Sequence, residues 1–181
     1  DSMASDVQIC NIALAHLGDT ATVASINPPE GSAQAEHCAR FYPIARDTFL
    51  EMHGWGFATR RAPLALLTAT INQWKYVYAM PANVINVISV IPPDAVNDYS
   101  APSYSFDTYG YHEPQVNPAA AYYTPQPYSI ETLSTGAQVI CTDQVDALLR
   151  YTAAVTDTTK FSPLFSMSLS WLLASMLAGP I

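Results

Sequence analysis

A chain of 181 residues is long enough for one domain with its own core. It carries a net charge of −8 and only 12% charged side chains against 50% hydrophobic ones. Ordinary soluble domains have roughly 25% charged residues, so this chain either buries more than a lone domain usually does or keeps apolar surface for partners. The acidic balance argues against a general affinity for DNA or anionic lipid. Three widely spaced cysteines, Cys10, Cys38 and Cys141, argue against a secreted disulfide framework and for a reducing, intracellular folding compartment. The N-terminus shows no basic stretch leading into a long apolar run, so no signal peptide is expected.

Ser5-Asp6-Val7-Gln8 has the Ser-x-x-Gln spacing of a capping box. It opens a helix with Ile9, Ile12, Ala13, His16 and Leu17 on one stripe and Gly18 as its stop. Residues 19 to 31 hold Asn27-Pro28-Pro29-Glu30-Gly31 and read as a loop. A second helix starts near Ser32. Cys38, Phe41, Tyr42, Ala45, Phe49 and Met52 fall in one arc, opposite Glu36, Arg40, Asp47 and Glu51, with Ile44 and Leu50 on the flanks. Pro43 lies inside this helix, where it removes a hydrogen bond and is expected to bend the axis. The helix runs into Gly54-Trp55-Gly56-Phe57, an aromatic exit in which Trp55 and Phe57 read as structural anchors.

From Trp74 the period changes to two, with Trp74, Tyr76, Tyr78 and Met80 on one face of a strand that ends at Pro81. Residues 84 to 91 are a β-branched run suited to a buried strand. Residues 128 to 133 and 137 to 142 flank Ser134-Thr135-Gly136, a hairpin turn. Residues 92 to 127 hold seven prolines and six tyrosines, too few aliphatics for a core, and read as an irregular excursion. Its tyrosines suit a contact surface, because Tyr offers large area at low entropic cost.

Asp143 is a good N-cap for a third helix carrying Val145, Leu148, Leu149 and Tyr151. Ser162-Pro163 then starts a fourth, with Ser at the cap and Pro in the first turn. Leu164, Phe165, Met167, Leu169, Trp171, Leu173 and Leu177 surround its axis, and a helix apolar on all sides is central in a bundle or lies at a subunit interface. Trp171 is read as a third structural anchor. The uncharged stretch from Phe161 is interrupted by Pro163, five serines and Gly179-Pro180. The usable helix is about 15 residues long, too short for a hydrocarbon core of ~30 Å, so no membrane association is expected.

The fold class that follows is α+β. N- and C-terminal helices (4–62 and 143–181) form a helical bundle, and an antiparallel β region (72–142), carrying the excursion at 92–127, is inserted between them.

Reaction centres are not supported by the residue spacings. The histidines and cysteines lack the closely paired spacings of a zinc site. His37 is adjacent to Cys38, which on a helix points it about 100° away and makes a poor catalytic pair. There is no G-x-S-x-G elbow and no phosphate-binding glycine loop. The acids at 94 and 98, and at 143 and 146, sit at loop or cap positions where acids are routine. Arg60 and Arg61 could contact phosphate, but two arginines after a helix more often cover its C-terminal carbonyls or pair with acids. No catalytic residue, metal or cofactor is expected, and the chain is read as a non-enzyme.

Residues 6 to 18, Asp-Val-Gln-Ile-Cys-Asn-Ile-Ala-Leu-Ala-His-Leu-Gly, resemble the opening helix of tailed-bacteriophage head–tail adaptor (connector) proteins. So do residues 38 to 47, followed by His53-Gly-Trp-Gly-Phe-Ala58 and Arg61-Ala-Pro-Leu64. Trp74-Lys-Tyr-Val-Tyr-Ala-Met-Pro81 is similar to that family's first central strand. Asp146-Ala-Leu-Leu-Arg-Tyr151 and Phe161-Ser-Pro-Leu-Phe165 are similar to its closing helices. The likeness extends to the podophage tail tubular or gatekeeper proteins and covers most of the chain outside the proline–tyrosine excursion, which looks like an insertion. It implies a structural virion protein located at the head–tail junction, and in the host cytoplasm during assembly. Such a protein self-associates into a dodecameric ring, with the portal protein and the tail (nozzle) protein as partners, and DNA passes through it without specific binding. Arg60, Arg61, Tyr109, Tyr111, Tyr122 and Tyr123 are then candidate interface residues. Family members continue past the last helix, where this sequence stops at Gly179-Pro180-Ile181. The rival reading is a phage tail or host-recognition module that binds through the tyrosine-rich loop.

Overall fold

The computed structural model describes residues 5 to 94 and 125 to 179. Among these residues the fold is mixed α+β, with three α-helices and two three-stranded sheets. The chain divides into two compact units. One comprises the residues up to Thr59 together with those from Thr152 onward; the other is Arg60–Tyr151.

In the helical unit, α1 (Asp6–His16) opens on the expected capping box. Ser5 Oγ accepts from the Gln8 N–H at 3.2 Å, and the Ser5 N–H donates to Gln8 Oε1 at 2.8 Å, so two orphan donors are satisfied reciprocally. Gly18, at φ +78°, ends the segment in the left-handed region that glycine tolerates best. The buried face is Ile9, Cys10, Ala13 and Leu14. It is rotated from the expected stripe: Ile12 and His16 are half-buried and Leu17 is exposed. A helix this rich in aliphatics offers several faces, and the position of its neighbour selects one. The loop that follows is pinned to α1 by a single side chain. Asn11 Nδ2 donates to the Val23 carbonyl at 3.0 Å, and Asn11 Oδ1 accepts from the Val23 N–H at 2.7 Å.

Helix α2 (Ala33–Met52) starts at Ser32, whose Oγ accepts from the Ala35 N–H at 3.2 Å. It runs helically through Pro43. Cys38, Tyr42 and Ala45 are buried as the arc requires, with Phe41 and Phe49 half-buried. Leu50 is buried and Met52 exposed, the reverse of the expectation. Helix α3 (Pro163–Leu177) is capped by Ser162, whose Oγ accepts from the Phe165 N–H at 3.2 Å, with Pro163 in the first turn. It packs against both α1 and α2 through Phe165, Leu169, Leu173, Ala174 and Leu177.

The other unit is built on β1 (Thr59–Pro63), β2 (Tyr76–Ala79), β3 (Val84–Ile91), β4 (Tyr128–Thr132), β5 (Gln138–Thr142) and β6 (Leu148–Ala153). The chain enters this unit in β1 and leaves it in β6. The strand orders are β1-β6-β3 and β2-β5-β4. In the second sheet β5 is central and antiparallel to both neighbours, with Thr142 opposite Tyr76 on one side and Tyr128 on the other. The hairpin between β4 and β5 closes as expected: Gly136 takes φ +86°, and its N–H donates to the Leu133 carbonyl at 2.8 Å. Val77, Val139 and Cys141 form a small core against which Leu67, Ile71, Trp74 and Leu133 pack.

The expected helix from Asp143 is not formed; Leu148, Leu149 and Tyr151 lie in β6 instead, and Val145 is exposed ahead of it. Three local facts account for this. The Asp143 carboxylate accepts from the Lys75 N–H at 2.9 Å, so it braces the approach to β2 and caps no helix. The Gln144 carbonyl accepts from the Tyr78 hydroxyl at 2.7 Å, and Asp146 takes φ +49°, a conformation that interrupts a right-handed helix. Beyond that turn, Tyr151 and Thr152 favour a pleated surface. Of the excursion at 92–127, residues 95 to 124 lie outside the described part. At its far end the Gln126 N–H donates to the Val90 carbonyl at 2.7 Å.

Candidate functional site

The last four carbonyls of any α-helix lack an intrahelical donor, and α2 has no basic residue in its last turn to serve them. Trp55 supplies one donor. The chain turns extended at His53, and the indole Nε1–H reaches back to the Phe49 carbonyl at 3.0 Å. A 3-10 turn over Gly56–Ala58 follows, and the Trp55 carbonyl accepts from both the Ala58 N–H and the Thr59 hydroxyl, at 3.0 and 2.8 Å. The aromatic exit is therefore a helix terminator as well as a packing element.

Its rings close around Phe165, which is fully buried. Trp55 and Phe57 meet Phe165 edge-on at centroid separations of 5.1 and 5.0 Å, Phe161 does so at 4.7 Å, and Phe49 lies at 5.4 Å. These are the offset and T-shaped arrangements that the aromatic quadrupole favours. All five residues belong to the helical unit. Trp55 and Phe57 are each half-buried, and Phe165 is the centre that the reading of Trp55 and Phe57 as a pair overlooked. The signal was present in Phe161 and Phe165, which flank the Ser162-Pro163 start of α3.

Trp171 is placed elsewhere. Its ring stacks on His16 at a centroid separation of 3.6 Å, the two planes nearly parallel at 10°. His16 Nε2 also lies 3.0 Å from Ser170 Oγ, and that hydroxyl donates to the Met167 carbonyl. With the serine proton used there, His16 must donate from Nε2. The outer face of Trp171 is open. Leu164, Met167 and Trp171 are 67%, 50% and 57% exposed, a stripe at i, i+3 and i+7 on α3. The helix is thus apolar all round, as its sequence dictates, yet only part of its girth is covered by the described residues.

Arg60 and Arg61 are exposed on strand β1. Tyr109, Tyr111, Tyr122 and Tyr123 fall outside the described residues. The three cysteines are buried thiols. A hydrogen bond to Cys38, followed by burial, pushes the Cys10 thiol well above its ordinary pKa, and burial pushes up Cys141. Both shifts oppose thiolate formation, so neither thiol has the activated character of a nucleophile. Among the described residues no group of three His, Cys, Asp or Glu side chains is arranged to hold a metal ion. No described helix is long and apolar enough to cross a membrane. No protein-family model matches the chain, and no curated protein matches it by sequence.

Proposed function

We propose that this chain is a structural subunit of a tailed-phage head–tail junction, a connector that docks on the portal ring and joins it to the tail. In this reading the three helices form a bundle that carries the β region as an insertion in the chain, and copies associate into a dodecameric ring lining part of the DNA channel. The observation that carries the proposal is the open apolar stripe Leu164, Met167 and Trp171 on α3. Rigid, exposed apolar surface rimmed by polar residues is characteristic of protein–protein contact. The likeness of residues 6–18, 38–47, 53–58 and 61–64 to connector proteins supports it, and so does a net charge of −8, which suits a channel that DNA must traverse without sticking. Arg60 and Arg61, exposed on β1, are candidate contacts to the portal or tail protein.

Co-sedimentation with a purified portal ring, followed by electron microscopy, tests the reading. Stoichiometric binding and a ring of added density are expected, both lost in Leu164→Glu/Trp171→Glu. Absence of binding by the folded wild-type chain would reject the connector role. The tyrosine-rich stretch at 92–127 favours a second reading, a host-recognition module. Binding on a glycan array that disappears on deletion of residues 99 to 123 would select that reading instead.

A further inference from the structure

Two of the three cysteines stand together in the helical unit. Cys10 on α1 and Cys38 on α2 are both fully buried, and their thiols share a hydrogen bond between the two helices. The buried residues one turn from them are small: Ala13 follows Cys10 and Ala35 precedes Cys38. Small side chains at a helix contact let the axes approach closely, as a thiol-to-thiol contact requires. Cys141 belongs to the other unit. The connector reading uses none of the three.

Two further features bear on what the pair can do. Helices α1 and α2 each pack chiefly against α3 and touch one another only lightly, so the thiols meet where these two helices hold each other least. A cavity of about 400 Å³ opens beside that contact, between the start of α1, the 19–31 loop and the middle of α2. Its lining includes Asp6, one turn before Cys10, and Ala39 and Tyr42, which follow Cys38 on α2. Neither cysteine lines it, so the sulfurs are reached only when α1 lifts away. The two thiols are also unequal. The hydrogen bond from Cys10 holds the Cys38 thiol below its ordinary pKa, against the pull of burial, and the same bond pushes Cys10 up. Cys38 is therefore the nucleophile of the pair and Cys10 the thiol that resolves it.

We propose that Cys10 and Cys38 form a redox-sensitive latch, converted by hydrogen peroxide during opening of α1 into a disulfide that staples α1 to α2. The Cys38 thiolate attacks one peroxide oxygen. The O–O bond breaks, the departing hydroxide takes up the proton that Cys38 has lost, and Cys38 becomes a sulfenic acid. The Cys10 sulfur then displaces hydroxide from the Cys38 sulfur, and the proton from Cys10 completes a second water. Two thiols are oxidised and one peroxide is reduced to two waters. The new bond closes the loop from residue 10 to residue 38 in the unfolded chain too, which is where the chain-entropy model places the gain in stability. A chain that folds with its thiols reduced is thus locked on meeting peroxide.

The test exposes the reduced full chain to hydrogen peroxide, alkylates it under denaturing conditions and maps its peptides by mass. The expected product is an intramolecular Cys10–Cys38 disulfide, with Cys141 still alkylated. Its melting temperature should rise by about 5 °C or more and fall back with dithiothreitol. Cys10→Ala should stop at a Cys38 sulfenic acid, trapped by dimedone. Ser5→Ala, which removes the capping box of α1, should speed the oxidation about fivefold by favouring the opened helix. Full alkylation of both cysteines after peroxide treatment would overturn the proposal. So would a disulfide involving Cys141, a Cys10–Cys38 bond that fails to raise the melting temperature, or a rate indifferent to the Ser5 cap.

Discussion

The indole N–H of Trp55 donates to the main-chain carbonyl of Phe49 at 3.0 Å, so the residue that leaves α2 also closes its last turn. The two side chains meet again as rings, 5.2 Å apart. Separate roles for the hydrogen bond and the ring can therefore be measured. Trp55→Phe keeps a ring and loses the donor, and should cost about 1 kcal/mol. Trp55→Ala loses both and, because the site is half-buried, should cost about 2–4 kcal/mol. Urea denaturation of the two variants decides it; equal losses would mean that the hydrogen bond contributes nothing.

Phe165 and Trp171 lie on one helix but are held very differently. Phe165→Ala removes the ring about which Trp55, Phe57 and Phe161 are arranged, and about 3–5 kcal/mol should be lost. Trp171→Ala removes a largely exposed ring and its stack on His16, which is worth about 1 kcal/mol. In the connector reading the order reverses for assembly, with Trp171→Ala abolishing portal binding in a protein that still melts cooperatively. Comparable melting losses for the two variants would contradict the packing described for α3.

Helix initiation rests on three serines of the same kind, at 5, 32 and 162. Ser32→Ala and Ser162→Ala should each cost about 1 kcal/mol, and the corresponding Asp variants should recover most of it, since Asp caps equally well and suits the N-terminal dipole. The pair lies at opposite ends of the sequence, so a double variant whose loss differs from the sum would reveal coupling between α2 and α3. Thermal melts of the single and double variants supply the comparison.

Alkaline stability depends on Tyr42. Burial raises its pKa in the folded chain above the ordinary tyrosine value of 10.0, whereas the unfolded chain ionises near that value. A raised folded-state pKa means that the stabilisation is complete below the unfolded pKa and is lost as pH climbs above it. Tyr78 and the Cys141 thiol are shifted in the same direction by burial and add to the loss, whereas the hydrogen bond between Cys10 and Cys38 pushes the first thiol up and the second down. Stability should fall steeply above about pH 10, and less steeply in Tyr42→Phe. Denaturation midpoints at several pH values show the slope, and identical slopes would refute the assignment.

What the sequence determined by itself is local. Ser5, Ser32 and Ser162 mark helix starts because a short hydroxyl side chain meets the orphan N–H groups of the first turn whatever the rest of the chain does. Gly18 and Gly136 mark a stop and a turn because only a positive φ fits there. Residues 76–79, 84–91, 128–132 and 138–142 were legible as strands from their β-branched and alternating character. Their pairing and sheet order were not. The segment after Asp143 shows the limit, since its Val, Leu, Leu and Tyr spacing suits a helix as well as a strand. Partners distant in sequence, Lys75 and Tyr78, took the hydrogen bonds that fixed it as a turn leading into β6.

The faces of the helices were likewise decided in three dimensions. A segment apolar on several sides buries whichever face its neighbour meets, so α1 turned toward Cys10 and Leu14, and α3 left Trp171 outside while taking Phe165 to the centre. The cavity beside Tyr42 was beyond the reach of the sequence for the same reason. Asp6, Asn27, Tyr42 and Arg46 come from two helices and a loop, and only their folding together brings them around one cavity.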